Sequence, residues 1–173
     1  VVLTVGKLGI LDALDAETGR YLFSIDMGLQ NVVASIDPRT GEKTISPEAV
    51  PDLTEGHFLM PNHFGTRCWP PLTYNPQTKR LYLPLAEGGV LAGPKGYYTI
   101  FTSGVRLDDR PIPDSDGKMG RLQAVDLENR AFAWRYRQAA PLISGLTATA
   151  GGLVFAGDLN RSFMALDDAS GEV

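Results

Sequence analysis

The sequence predicts an all-β chain, a partial β-propeller of about three four-stranded blades with the first and last incomplete. Three observations carry this expectation. Ala13–Phe23 (ALDAETGRYLF), Ala124–Trp134 (AVDLENRAFAW) and Ala165–Val173 (ALDDASGEV) share an Ala followed two residues later by Asp. The second and third copies begin 41 residues apart, which matches the roughly 40–45 residues of a four-stranded blade. The 19 glycines and 12 prolines among 173 residues exceed the roughly 12% of an average chain and favour short strands joined by turns. A β-sandwich would not explain the regular spacing. No amphipathic helical pattern of about ten residues or more interrupts the strand signals.

Each copy reads as a hairpin. A strand ends at Ala-x-Asp, the Asp accepts from turn amides, and Gly19 or Gly171, six residues after the Ala, supplies a positive φ. The next strand carries an aromatic knob, Phe23 or Trp134, ten residues after the Ala. A looser copy runs from Ser35 through Asp37 and Gly41. The stretch Met27 to Asn62 reads as a turn-rich excursion. Pro71–Tyr74, an Asn-Pro turn and Arg80–Leu85 read as a strand pair. The stretch Gly88 to Gly120 reads as an insertion holding an aromatic strand, Tyr97–Phe101, and an acidic hairpin, Asp108 to Lys118. Leu142–Ala150, Leu153–Gly157 and Ser162–Leu166 follow as strands, punctuated by Gly151-Gly152 and by residues 158–161.

Composition removes several function classes. A net charge of −4 leaves no basic footprint for nucleic acid or an anionic membrane. One cysteine cannot build a disulfide framework or a multi-cysteine zinc module. Apolar runs fall well short of the roughly 18 residues of a membrane-spanning helix. The chain begins without Met or a signal-peptide pattern and ends inside a motif copy. Residues 1–173 are therefore expected to be a fragment of one propeller domain. Its open sheet edges would be closed by remaining blades, from a companion chain or an oligomer.

Four segments resemble the quinoprotein dehydrogenases, the PQQ-dependent alcohol dehydrogenase family: KLGILDALDAETGRYL from Lys7, QNVVASIDPRTGEKTISPEA from Gln30, WPPLTYNPQTKRLYLPL from Trp69 and LTATAGGLVFAGDLNRSFMALDDASGEV from Leu146. The repeat is similar to that family's tryptophan-docking motif. The resemblance implies an eight-bladed ring with PQQ and a calcium or lanthanide ion near its axis. It also implies a small alcohol substrate, an electron acceptor such as a cytochrome c, and a periplasmic location. Bound PQQ would accept a hydride while a carboxylate takes the hydroxyl proton. Lys7 stands in the K-x-G position where the family sets a cation against the quinone oxygens. Trp69, Glu87, Ile143 and Ser144 would border the cofactor cavity. The catalytic carboxylate and the metal ligands are expected before Val1, so the isolated chain is expected to be inactive.

The chain departs from the family where Arg67-Cys68-Trp69 replaces His-Asn-Trp, near Glu87, and at Ile143-Ser144. These changes keep open a second reading, a PQQ-like repeat scaffold that binds a protein partner and holds no cofactor. The long insertions favour the enzyme. His57, His63 and Cys68, with Glu55 nearby, match no zinc spacing and read as a structured loop. Asp108, Asp109, Asp114 and Asp116 read as a solvated hairpin. Arg135 and Arg137 alternate along a strand and read as outward-facing.

Overall fold

A computed structural model describes residues 1–50, 56–93 and 106–173. In chain order its strands are β1 (Val2–Val5), β2 (Ile10–Leu14), β3 (Tyr21–Asp26), β4 (Val33–Ile36), β5 (Lys43–Ile45), β6 (His57–Leu59), β7 (Thr73–Asn75) and β8 (Arg80–Ala86). They continue as β9 (Gly88–Gly93), β10 (Arg106–Pro111), β11 (Gly120–Asp126), β12 (Ala131–Gln138), β13 (Thr147–Ala148), β14 (Leu153–Gly157) and β15 (Phe163–Asp167). Among the described residues, helix is confined to one 3-10 turn at Pro47–Ala49. The chain divides into two units, Val1–Thr66 with Gly88–Ile112, and Arg67–Glu87 with Pro113–Val173.

The first unit holds the antiparallel sheet β1-β2-β3, the ribbon β4-β5 and the sheet β10-β9-β6. The segments read as an excursion and an insertion thus supply a sheet of their own. Its middle strand, GGVLAG, shows no clean alternation, so its pairing was illegible in sequence. Asp108 and Asp109 belong to strand β10, which pairs with β9. Asp114 and Asp116 do lie in a turn, at φ 61° and 51°. Tyr97–Phe101 and Glu55 lie outside the described residues.

The second unit holds the four-stranded sheet β12-β11-β8-β7 and the sheet β13-β14-β15. Tyr82, Leu122 and Ala124 of the first pack on Val154, Ala156, Met164 and Leu166 of the second, all buried. Strand β8, RLYLPLA, is buried almost throughout, as an apolar run without alternation requires. It tolerates Pro84 because β7 pairs only with Arg80 to Tyr82.

The repeat is physical. Ala13 pairs with Phe23 and Ala124 with Trp134, and both copies carry a bulge one residue later. Asp15, Asp37, Asp126, Asp167 and Asn75 each accept, through one side-chain oxygen, from backbone amides two or three residues on. Four residues after each stands a left-handed residue: Gly19, Gly41 and Gly171 at φ 72° to 76°, Arg130 at 55° and Lys79 at 54°. NPQTK is thus a fifth turn of the same kind, with Asn replacing Asp. Hydrogen bonds from Thr18, Asn129 and Ser170 hold Asp15, Asp126 and Asp167 below the usual carboxylate value.

Candidate functional site

Lys7 sits in the turn between β1 and β2 and is exposed. Its Nζ donates to the His63 carbonyl at 3.0 Å. Its own carbonyl accepts from the Thr66 amide at 2.8 Å and the Thr66 hydroxyl at 3.1 Å. The ammonium carries three donors, and His63 engages one of them. This is a donor set that suits an anionic oxygen.

The other residues singled out in sequence belong to the second unit. Trp69 is 74% exposed and Ile143 45%, so both present apolar surface to solvent. The Ser144 hydroxyl is committed to Gly157, accepting from its amide and donating to its carbonyl at 2.8 Å each. Glu87 is 1% exposed and forms a close ion pair with Arg137, with Arg121 at 3.8 Å. Arg137 therefore points inward, against the alternation argument, because a buried carboxylate needs a cation. Burial pulls Arg121 down to about 10 despite the Glu87 charge. Gln123 accepts from Arg121 Nε at 3.0 Å and donates to the Trp134 carbonyl at 2.7 Å.

Trp134 docks as the motif predicts. Its Nε1 donates to the Asp168 carbonyl at 2.6 Å. Its ring lies where a Cβ on Gly171 would stand, 2.6 Å from Cε3. In the first unit the ring over the turn glycine is Tyr21, on Gly41, and not Phe23. Lys43 of β5 reaches both Asp12 oxygens at 3.0 Å and draws the ribbon beside Tyr21.

Sequence reasoning missed the group around Asp168, which is 4% exposed. Its carboxylate accepts from Asn75 at 2.7 Å, from Arg80 at 3.2 Å and, at very short range, from the Tyr82 hydroxyl. Burial, then the bond to Asp168, pushes Tyr82 up to about 12. Tyr82 pairs with the motif residue Ala124, a register that only the fold reveals. His63 Nδ1 stands 3.5 Å from Asp109, Cys68 is exposed, and the described residues hold no group of three or more His, Cys, Asp or Glu that could hold a metal ion.

No family model matches the chain. It is 32% identical to lupanine 17-hydroxylase [cytochrome c] of Pseudomonas sp, over 99% of this chain and 25% of that protein. It is 27% identical to the dehydrogenase subunit of alcohol dehydrogenase (quinone) of Gluconacetobacter polyoxogenes, again over 99% of this chain and 25% of that protein. The chain thus spans about a quarter of the length of the curated relatives it matches. A europium-containing methanol dehydrogenase superposes on 96% of this chain and 30% of its own, with a TM-score of 0.82 and 23% identity. That likeness shows the fold, a partial β-propeller. Over nearly its whole length the chain is a relative of the quinoprotein alcohol dehydrogenases.

Proposed function

We propose that the chain is part of a PQQ-dependent alcohol or polyol dehydrogenase of the periplasm, with a calcium or lanthanide ion and an acceptor such as a cytochrome c. The observation that carries this reading is the 32% identity to lupanine 17-hydroxylase [cytochrome c] across 99% of the chain. The relatives are enzymes, so the scaffold alternative is not retained.

Bound PQQ would supply the hydride acceptor. Lys7 would hold the quinone oxygens, its ammonium fixed by the His63 carbonyl and able to stabilise negative charge developing there. In the second unit, Trp69 offers an exposed indole face suited to a planar ring system. Glu87 is neutralised by Arg137 and Arg121 and serves the fold.

Remaining blades are part of the proposal. Phe155, Phe163 and Ala165 stand in the register of Tyr82, Leu122 and Ala124, each 0% exposed, yet Phe163 is 76% exposed. A further blade from the same polypeptide, a companion or a second copy would cover that face. Sedimentation of the isolated chain should show self-association, and a compact soluble monomer contradicts this.

The complete polypeptide, supplied with PQQ and calcium or a lanthanide, is expected to reduce a dye when given an alcohol. A folded protein that reduces no dye with any alcohol rejects the enzyme reading.

A further inference from the structure

The turn before Thr66 and the turn after β1 interlock side chain into glycine. A Cβ on Gly65, at φ +86°, would stand 2.7 Å from the Lys7 Cβ and 2.8 Å from its Cγ. A Cβ on Gly9, at φ +69°, would stand 2.6 Å from the Thr66 hydroxyl oxygen. Each segment thus provides a glycine where the other provides a side chain. Thr66 is 2% exposed and spends both its amide and its hydroxyl on the Lys7 carbonyl. The turn before Thr66 is anchored in its own right, by Asn62 N to the Gly88 carbonyl at 2.8 Å and Gly65 N to the Asn62 carbonyl at 2.8 Å.

We propose that Gly9, Gly65 and Thr66 are positioning residues that set where the Lys7 ammonium stands, and so deliver it to the quinone oxygens. The second half rests on the reading of Lys7 under Proposed function. The first half does not. The Gly65 contact restricts the lysine stem at its first two carbons, and Thr66 fixes the backbone from which the stem leaves. The His63 carbonyl then receives the head. A long, flexible side chain is thereby given one direction before any ligand arrives, which lowers the entropic cost of meeting one.

The test is the rate of reductive methylation of each lysine in the complete protein, read by peptide mass spectrometry with and without PQQ. Lys43 and Lys79, held by Asp12 and Glu128, are internal references. Gly65→Ala is expected to raise Lys7 labelling about fivefold against both references, the factor for one ordinary hydrogen bond lost. Thr66→Val should raise it less, and Thr66→Ser should restore the parental rate. Thr66→Val keeps side-chain volume and carries the test if Gly65→Ala does not fold. An unchanged Lys7 rate in the variants that fold overturns the positioning role. If the variants release Lys7 but PQQ does not slow its labelling in the parent, positioning stands and the quinone contact fails.

Discussion

Gly171→Ala tests the docking of one sheet on the next. At φ +76° an alanine meets the left-handed penalty of about 1–2 kcal/mol. Its Cβ would also lie 2.6 and 2.7 Å from two atoms of the Trp134 ring, so the indole must move. Overpacking of this kind costs about 1–3 kcal/mol. The displaced ring also weakens the 2.6 Å bond from Nε1 to the Asp168 carbonyl. The expected loss is about 2–5 kcal/mol. Gly152 is the control, since it lies in the same unit at φ +79° with nothing within 4 Å of its added Cβ. Gly152→Ala should therefore cost only the backbone penalty, about 1–2 kcal/mol. Urea unfolding of the two variants, followed by tryptophan fluorescence, measures the difference. Equal losses would mean that the ring does not bear on Gly171, and the docking argument would fail.

Trp134→Phe keeps an aromatic ring but removes the donor to the Asp168 carbonyl, and should cost about 1–2 kcal/mol in the same assay. Glu87→Leu strands the Arg137 and Arg121 charges and should cost about 3–5 kcal/mol; adding Arg137→Met should recover part of that loss. Tyr82, raised to about 12 from an ordinary 10, keeps its proton in the fold at a pH where the unfolded chain has released it. Its contribution is thus intact below pH 10 and lost as pH climbs towards 12, and Tyr82→Phe should remove that part of the alkaline slope. Arg121, lowered to about 10, acts in the opposite sense over an overlapping range that also opens near pH 10, so the comparison must be made between parent and variant.

The hairpins could be read in the sequence because everything that makes them lies within five consecutive residues. At Asp167 to Gly171, the carboxylate, the Ser170 amide and hydroxyl it accepts from and the left-handed glycine are neighbours in the chain. The same grammar marks Asp15 to Gly19 and Asp37 to Gly41, and the 41-residue spacing of Ala124 and Ala165 sets the blade period. Only the family resemblance singles out Lys7, at its K-x-G position, and the structure orders it by a turn some sixty residues away, at His63 to Thr66.

What tertiary structure decided are the contacts whose partners no local pattern relates. Asp168 meets Asn75 across 93 residues of sequence, and Glu87 meets Arg137 across 50. Alternation assigned Arg137 to the outer face, but desolvating the Glu87 carboxylate without a cation costs more than turning the arginine inward. Tyr21, rather than Phe23, covers Gly41 because the Lys43 to Asp12 ion pair fixes where the ribbon lies. Turn chemistry is a property of consecutive residues and survives in the sequence. The choice of which ring covers which glycine, and which cation answers a buried anion, depends on chain segments brought together only by folding.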